Sequence, residues 1–253
     1  MTPLSSAPLV VRPVRTRRDL RRFLWLPWRI YAGDPNWVAP LLVERRAFLD
    51  RRKNPFFRHS QAELFLAERG GEPVGRIAAI ENRRHLETYR DGTGFFGFFE
   101  CVDDQEAANG LFDAARNWFA ERDIFCLRGP ANPSLNYELG LLIEGFDRSP
   151  TFMMTYNPPY YAKLIEAYGF RKTQDLFSFW GHVSMLPLLR DRLGPVAAQI
   201  AERLGVTIRP LNRARFLQEV TTFLDIYNRS LVNTWGFVPM SDAEVRHMAG
   251  SLR

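Results

Sequence analysis

Arginine is the residue type here that most plainly offers chemistry. Arg12, Arg15, Arg17, Arg18, Arg21 and Arg22 form one cluster, and Arg45, Arg46, Arg51, Arg52 and Lys53 form a second. Such clusters grip phosphates, whether of nucleic acid, of a nucleotide-bearing cofactor or of an anionic lipid surface. A solvated helix face in an arginine-rich chain is the plainer reading, since three of the 34 basic residues are lysine and the clusters lack the interleaved aromatics of a single-strand binder. A different chemistry is available at Glu100. Phe96 and Phe98 beside it would exclude water and raise its pKa towards that of a useful base; the alternative is an ordinary capping or ion-paired carboxylate. Asn132, Ser134, Asn136, Tyr137, Glu138 and Glu144 stand in a long segment, 129–159, with Asn157 near its end. Connections of that length are commonly functional or shaped by what they bind, although Asn and Ser side-chain turns would fasten such a loop equally well. His59, His85, His182 and His247 show neither HxH nor HExxH spacing, and neither a G-x-S-x-G elbow nor a P-loop is present. Metallohydrolase, serine hydrolase and NTPase chemistry therefore have no support, and no metal site is expected.

The elements that must position these residues follow from periodicity. Residues 9–14 read as a strand and 17–31 as a helix that Pro27 must kink or restart. A second helix is expected near 41–52. The period then changes to two: 62–68 and 74–80 alternate as strands around Gly70-Gly71, a hairpin. The aromatic run 95–102 is a further strand, with Phe96, Phe98 and Glu100 on one face and Phe95, Gly97, Phe99 and Cys101 on the other. Asp103 or Asp104 caps a helix running to about Arg122. A strand at 124–128, a helix at 160–168 stopped by Gly169, and one or two strands in 170–183 complete the unit. The class this order predicts is α/β, a mixed twisted sheet with helices on both faces, followed by a mainly helical C-terminal segment.

The 253 residues are 46% apolar and 25% charged, a composition that excludes disorder, collagen and disulfide scaffolds. With no apolar run of membrane-spanning length and no signal-like start, the expectation is a cytoplasmic protein with no membrane partner. The net charge of +6 is local: residues 1–60 hold 13 basic against 4 acidic residues, and 61–253 hold 21 against 24. Cys101 and Cys126 lack CxxC spacing and read as small buried residues, so neither a disulfide nor a zinc site is expected.

The chain also repeats itself. Val11-Arg12-Pro13-Val14 returns as Ile208-Arg209-Pro210-Leu211, each copy continuing into a helix that ends near a Tyr (Tyr31, Tyr227) and a Trp loop closing on Pro (Trp37 to Pro40, Trp235 to Pro239). An offset of 197 to 199 predicts an internal duplication. The expected organisation is a unit over 1–183, a helical linker over 184–205 that breaks at Gly194-Pro195 and packs on its neighbours, and the truncated opening of a second unit over 206–253. The second helix, with Phe216, Val220, Phe223, Leu224 and Tyr227, needs a partner surface, so homodimerisation is expected.

The run from Asn157 through Tyr160-Tyr161 to Gly169-Phe170, within this element order, resembles the GNAT superfamily of CoA-dependent N-acyltransferases. The chain as a whole is similar to bacterial double-GNAT proteins, in stretches such as 34–40, 53–57, 94–100 and 129–161. The resemblance implies an acetyl-CoA or other acyl-CoA donor entering between two splayed parallel strands, its pyrophosphate held at a helix N-terminus. It implies an amine acceptor, a small molecule or peptide, bound near Asn132, Ser134, Asn136, Glu138 and Asn157. Glu100 takes the position of a general base acting through water. The usual tyrosine acid is replaced by Ile165, which leaves Tyr160 or Tyr161 to substitute or simply to wedge the helix. The pyrophosphate junction, 100–108, has no glycine and carries Asp103, Asp104 and Glu106, which repel a dianion. The first unit is thus expected to be degenerate or acceptor-binding, with CoA bound weakly if at all and little or no activity in this chain alone. The rival expectation is a non-catalytic ligand- or partner-binding module on the same fold, recognising an anionic partner; nucleic acid is not the expected one.

Overall fold

A computed structural model describes residues 7–134, 136–151, 153–207 and 209–251. The first strand, β1 (Leu9–Pro13), leads into helix α1 (Arg17–Ile30). Thr16 starts the helix by a capping box: its Oγ1 accepts the Asp19 N–H at 3.1 Å, and Asp19 Oδ2 accepts the Thr16 N–H at 3.0 Å. Two orphan donors are satisfied reciprocally. Phe23, Leu24, Leu26 and Pro27 face inwards, and the helix runs through Pro27 without restarting. The bond that Pro27 cannot make is replaced from another element, as the site geometry makes clear.

Helix α2 is Leu42–Leu49, shorter than the periodicity predicts, and a single 3-10 turn follows at Pro55–Arg58. Strands β2 (Ser60–Arg69) and β3 (Glu72–Asn82) form the expected hairpin. Gly70 and Gly71 both take positive φ (+57° and +83°), as a two-residue hairpin turn of this hand requires. A short helix, α3 (Arg83–Tyr89), capped by the Asn82 side chain, occupies what reads as a polar connection. Then come β4 (Thr93–Cys101), α4 (Gln105–Ala120), β5 (Cys126–Arg128), a small pair β6 (Ala131–Asn132) and β7 (Glu138–Leu139), and α5 (Tyr161–Tyr168). The main sheet has the order β1-β2-β3-β4-β5, antiparallel except for the parallel β4–β5 pair.

Apolar residues from opposite faces of the sheet build two cores. Phe96, Phe99 and Cys101 join the buried faces of α4 and α5, through Leu111, Phe112, Phe119, Tyr161 and Leu164. Phe95 and Phe98 join Phe23 of α1 and Phe56. Strict alternation along β4 is therefore broken. The register against β3 shifts between Arg76 and Ala78, and Phe98 takes φ +49°, a bulge that inserts one residue. Phe96 consequently leaves the face of Phe98 and Glu100, contrary to the pattern a regular strand predicts. Gly97 makes the bulge possible, since a Cβ there would lie 1.9 Å from the Ala131 carbonyl oxygen.

The C-terminal part is helical: α6 (Leu186–Leu204), α7 (Phe216–Ser230) and α8 (Asp242–Ser251). Several expectations are corrected here. Residues 170–183 form no strand among the described residues, and Phe177, Phe179 and Trp180 are exposed; the last strand of the sheet, β5, is three residues long and offers little ladder to extend. Helix α6 is unbroken at Gly194-Pro195: it runs from Leu186 to Leu204 with Pro195 inside it. Nor does α6 pack: Leu188, Leu193, Val196 and Ile200 all lie in solvent. Of the repeated strand at 208–211, residue 208 lies outside the described residues and 209–211 carry no strand. Leu224 of α7 does find partners in Met240 and Val245. Cys101 is buried, whereas Cys126 is exposed.

Candidate functional site

Glu100 stands near the end of β4, where the bulge turns it towards α1. Its carboxylate is enclosed by three elements. Tyr161, at the start of α5, donates its hydroxyl to Oε2 at 2.7 Å, and Tyr31, immediately after α1, donates to the same oxygen at 3.0 Å. Arg76 of β3 approaches Oε1 at 3.3 Å. The side chains of Glu100 and Arg76 are 14% and 9% exposed, so this ion pair sits at low dielectric and depends on its hydrogen bonds. Arg76 is anchored from behind, donating to the Phe23 carbonyl at 2.6 Å. Burial is the largest influence on Glu100 and raises its carboxyl above the usual range; Arg76, Tyr161 and Tyr31 oppose without cancelling it. Burial, reinforced by the charge of Glu100, holds the phenols of Tyr31 and Tyr161 in their protonated form.

Tyr160 and Tyr161 are thus brought to the same place by different bonds. Tyr161 also accepts the Cys101 N–H at 2.9 Å, while Tyr160 donates to the Cys101 carbonyl at 2.8 Å. Together they fasten α5 to the end of β4. Phe96, expected beside Glu100, lies in the opposite core. Arg76 and Tyr31 are the members of this group that the sequence reading omits. A charged residue within the apolar run Val74 to Ile80 is the signal that could have found Arg76; nothing local marks Tyr31.

The polar residues of 129–159 are engaged with the protein itself. Asn132 Oδ1 accepts the Phe98 N–H at 2.6 Å, and its amide donates to Glu138 at 3.2 Å. Glu138 also pairs with Arg45. Ser134 accepts the Asn136 N–H at 3.3 Å, and Asn136 reaches the Val238 carbonyl at 2.9 Å. Asn157 clamps both backbone groups of Leu142, at 2.7 and 3.2 Å. Glu100, Tyr160 and Tyr161 converge on one point. Asn132, Ser134, Asn136, Glu138 and Asn157 form instead the internal fastening of the long segment.

Two features bear on an acyl-CoA. Parallel β4 and β5 pair from Thr93 to Phe95 and then part, but the chain after β5 turns across Gly97, so Ala131 and Asn132 fill the opening. At the N-terminus of α4, Asp104 caps by accepting the Ala107 N–H at 3.1 Å, and Arg69 donates to Asp104 at 3.0 Å and to Glu106 at 2.5 Å. Asp103 is exposed. Burial works to raise the Asp104 carboxyl, but Arg69 and the capped N–H outweigh it and hold it below the ordinary value. The anion site of this helix is already filled by a side-chain carboxylate, and Arg69 beside it is neutralised by Asp104 and Glu106. These residues do not fit a pyrophosphate.

No family model matches the chain. It is 40% identical over 257 residues to a protein named bacterial ceramide synthase from Caulobacter vibrioides, covering 98% of this chain and 64% of that protein. It is 36% identical over 256 residues to protein YghO of Escherichia coli, covering 100% and 64%. The chain therefore spans 64% of the length of these curated relatives. Among solved structures, an aminoglycoside N-acetyltransferase in complex with CoA aligns over 72% of this chain and 99% of its own, at 14% identity and a TM-score of 0.41. The first of these relatives carries an acyltransferase-type name, and the solved structure is that of an acetyltransferase.

Proposed function

We propose that this chain belongs to an N-acyltransferase acting on a long-chain amine, and that residues 1–183 supply its acceptor-binding part rather than its acyl-CoA cradle. The observation that carries this reading is the contrast between two carboxylates at the C-terminal end of β4: Glu100, held in a cradle of hydroxyls, and Asp104, which caps and closes the N-terminus of α4. Identity of 40% along nearly the whole chain to a protein named for ceramide synthesis supports the substrate class.

Glu100 would hold the acceptor's ammonium group at Oε1, the oxygen less fully bonded, and would receive its proton. A carboxyl raised by burial is the better base for that step. Tyr31 and Tyr161, held protonated, orient the carboxylate and do not compete for the proton. The offset repeat supports a second unit that opens at residue 206, since α7, the Trp235 loop and α8 follow in the order of α1, the Trp37 loop and α2.

Isothermal titration of the purified chain tests the reading. Octylamine is expected to bind, with binding lost in Glu100→Gln while circular dichroism remains native; acetyl-CoA and decanoyl-CoA are expected to give no heat. Micromolar binding of either thioester would overturn the assignment of this unit to the acceptor.

A further inference from the structure

The solvent side of α1 carries Arg17, Arg18, Arg21 and Trp25. Arg18, Arg21 and Trp25 succeed one another at three- and four-residue spacing and form one stripe. The neighbouring arginines have partners: Arg12 and Arg22 hold Glu68, Arg15 holds Glu63, and Arg29 holds Glu72. Arg17, Arg18 and Arg21 have no acidic partner among the described residues. Arg17 and Arg18 also oppose the helix, because cations in a first turn face the positive end of the macrodipole. Their presence serves neither a salt bridge nor the stability of α1.

Trp25 is 42% exposed although its ring lies 5.0 Å from that of Trp28. From Trp28 the rings continue to Trp37 at 5.4 Å, and from Trp37 to Tyr31, stacked at 4.9 Å. Tyr31 is the residue that donates to Glu100. An aromatic path thus joins the exposed stripe to the carboxylate. The segment continuing from Trp37 exposes Val38, Leu41 and Val43.

We propose that this face of α1 docks on an anionic lipid bilayer, with the three free guanidinium groups on headgroup phosphates and Trp25 at the boundary with the acyl chains. Unpaired arginine beside exposed tryptophan suits that boundary, where one end of each side chain is wet and the other apolar. The contact is peripheral, since no described helix is long and apolar enough to cross a membrane. Nucleic acid shares the phosphate chemistry but has no use for Val38, Leu41 and Val43. The exposed aliphatic side chains of Val38, Leu41 and Val43 are what separates the lipid surface from the other phosphate sources, and they argue against the expectation that a membrane is no partner. Docking itself is independent of the acyltransferase reading; its purpose, delivery of a membrane-borne amine to Glu100, rests on that reading.

Sedimentation of the purified chain with vesicles of phosphatidylcholine and phosphatidylglycerol, against vesicles of phosphatidylcholine alone, tests the proposal without any measurement of activity. Binding is expected on the anionic vesicles and to fall as salt rises. Replacing Arg17, Arg18 and Arg21 together by Gln should lower the partition coefficient about 100-fold, at about fivefold per basic residue near the surface. Trp25→Ser should lower it about tenfold. Replacing the exposed Arg203, Arg213 and Arg215 by Gln removes the same charge and should change binding less than about threefold. Three results would each overturn the proposal: no binding, an equal loss in the second triple variant, or displacement from vesicles by a single-stranded oligonucleotide at equimolar phosphate. Tight binding that survives both the α1 triple variant and Trp25→Ser would assign the contact to another surface and overturn it as well.

Discussion

Arg76 donates to the carbonyl of Phe23 at 2.6 Å. That carbonyl is the one in α1 that Pro27, four residues on, has no N–H to bond. A proline inside a helix thus becomes a docking point for a cation, and the cation in turn faces Glu100 at 3.3 Å. The helix passes Pro27 intact because its missing donor is replaced from β3. Arg76→Met should leave the Phe23 carbonyl unbonded and the buried Glu100 carboxylate without its counter-charge, and cost about 3–5 kcal/mol. Adding Glu100→Gln should recover part of that loss. Urea denaturation of the two single variants and the double variant measures the coupling; strictly additive effects would show that Arg76 and Glu100 do not act as a pair.

Gly97 admits the Ala131 carbonyl to within 1.9 Å of where a Cβ would stand. Gly97→Ala must push the segment after β5 off β4 and break the bond from the Phe98 N–H to Asn132. A backbone atom cannot move aside cheaply, so the expected cost is about 2–4 kcal/mol. A thermal midpoint unchanged from the native protein would refute the close approach.

How much of this was legible in the sequence depends on whether the cause was local. The hairpin around Gly70-Gly71 and the apolar stripe from Ala107 to Phe119 follow from turn chemistry and period, and each is found as expected; of the two aspartates that could cap α4, Asp104 does so. The bulge at Phe98 was not legible, because it depends on the chain 34 residues later that supplies Asn132. With it went the faces of β4 and the surroundings of Glu100. Tyr31, Arg76 and Tyr161 come from three distant elements, and of the three only Tyr161 is marked in the sequence, through the family resemblance. The strand expected in 170–183 is absent for a related reason: period marks a segment that can pair, while pairing needs a ladder of sufficient length, and β5 at the sheet edge has three residues.

Asp19 closes the capping box of α1 and accepts from Arg12 at 2.8 Å. Arg12, then Thr16, hold its carboxyl well below the usual range. Because the folded state holds this proton less tightly than the unfolded chain, the stabilisation is present above the ordinary aspartate pKa and is lost as the pH falls below it. Asp19→Asn should therefore cost about 1–2 kcal/mol at pH 7 and progressively less on acidification below about pH 4. Denaturation midpoints of the variant and native proteins across that interval give the test; a constant difference would contradict the linkage.

Glu244 joins the C-terminal helices to the sheet unit. It accepts from the Ser241 N–H at 2.8 Å and hydroxyl at 2.7 Å, which caps α8, and it meets His59 Nε2 at 3.3 Å across the junction. Tyr89 adds a bond to the Phe237 carbonyl at 2.8 Å. The apolar contribution at the base of α7 is small, centred on Leu224, Met240 and Val245, so the polar contacts weigh heavily in holding α7 and α8 in place. Glu244→Ala removes both the cap and the contact to His59, and a local loss of about 1.5–3 kcal/mol is expected. Deuterium exchange of amides in 216–251 should then speed about 10- to 100-fold, while β2, β3 and β4 exchange as before. Uniform acceleration across the chain would mean that the two parts unfold as one cooperative body, and that Glu244 stabilises the whole rather than the docking of its own helix.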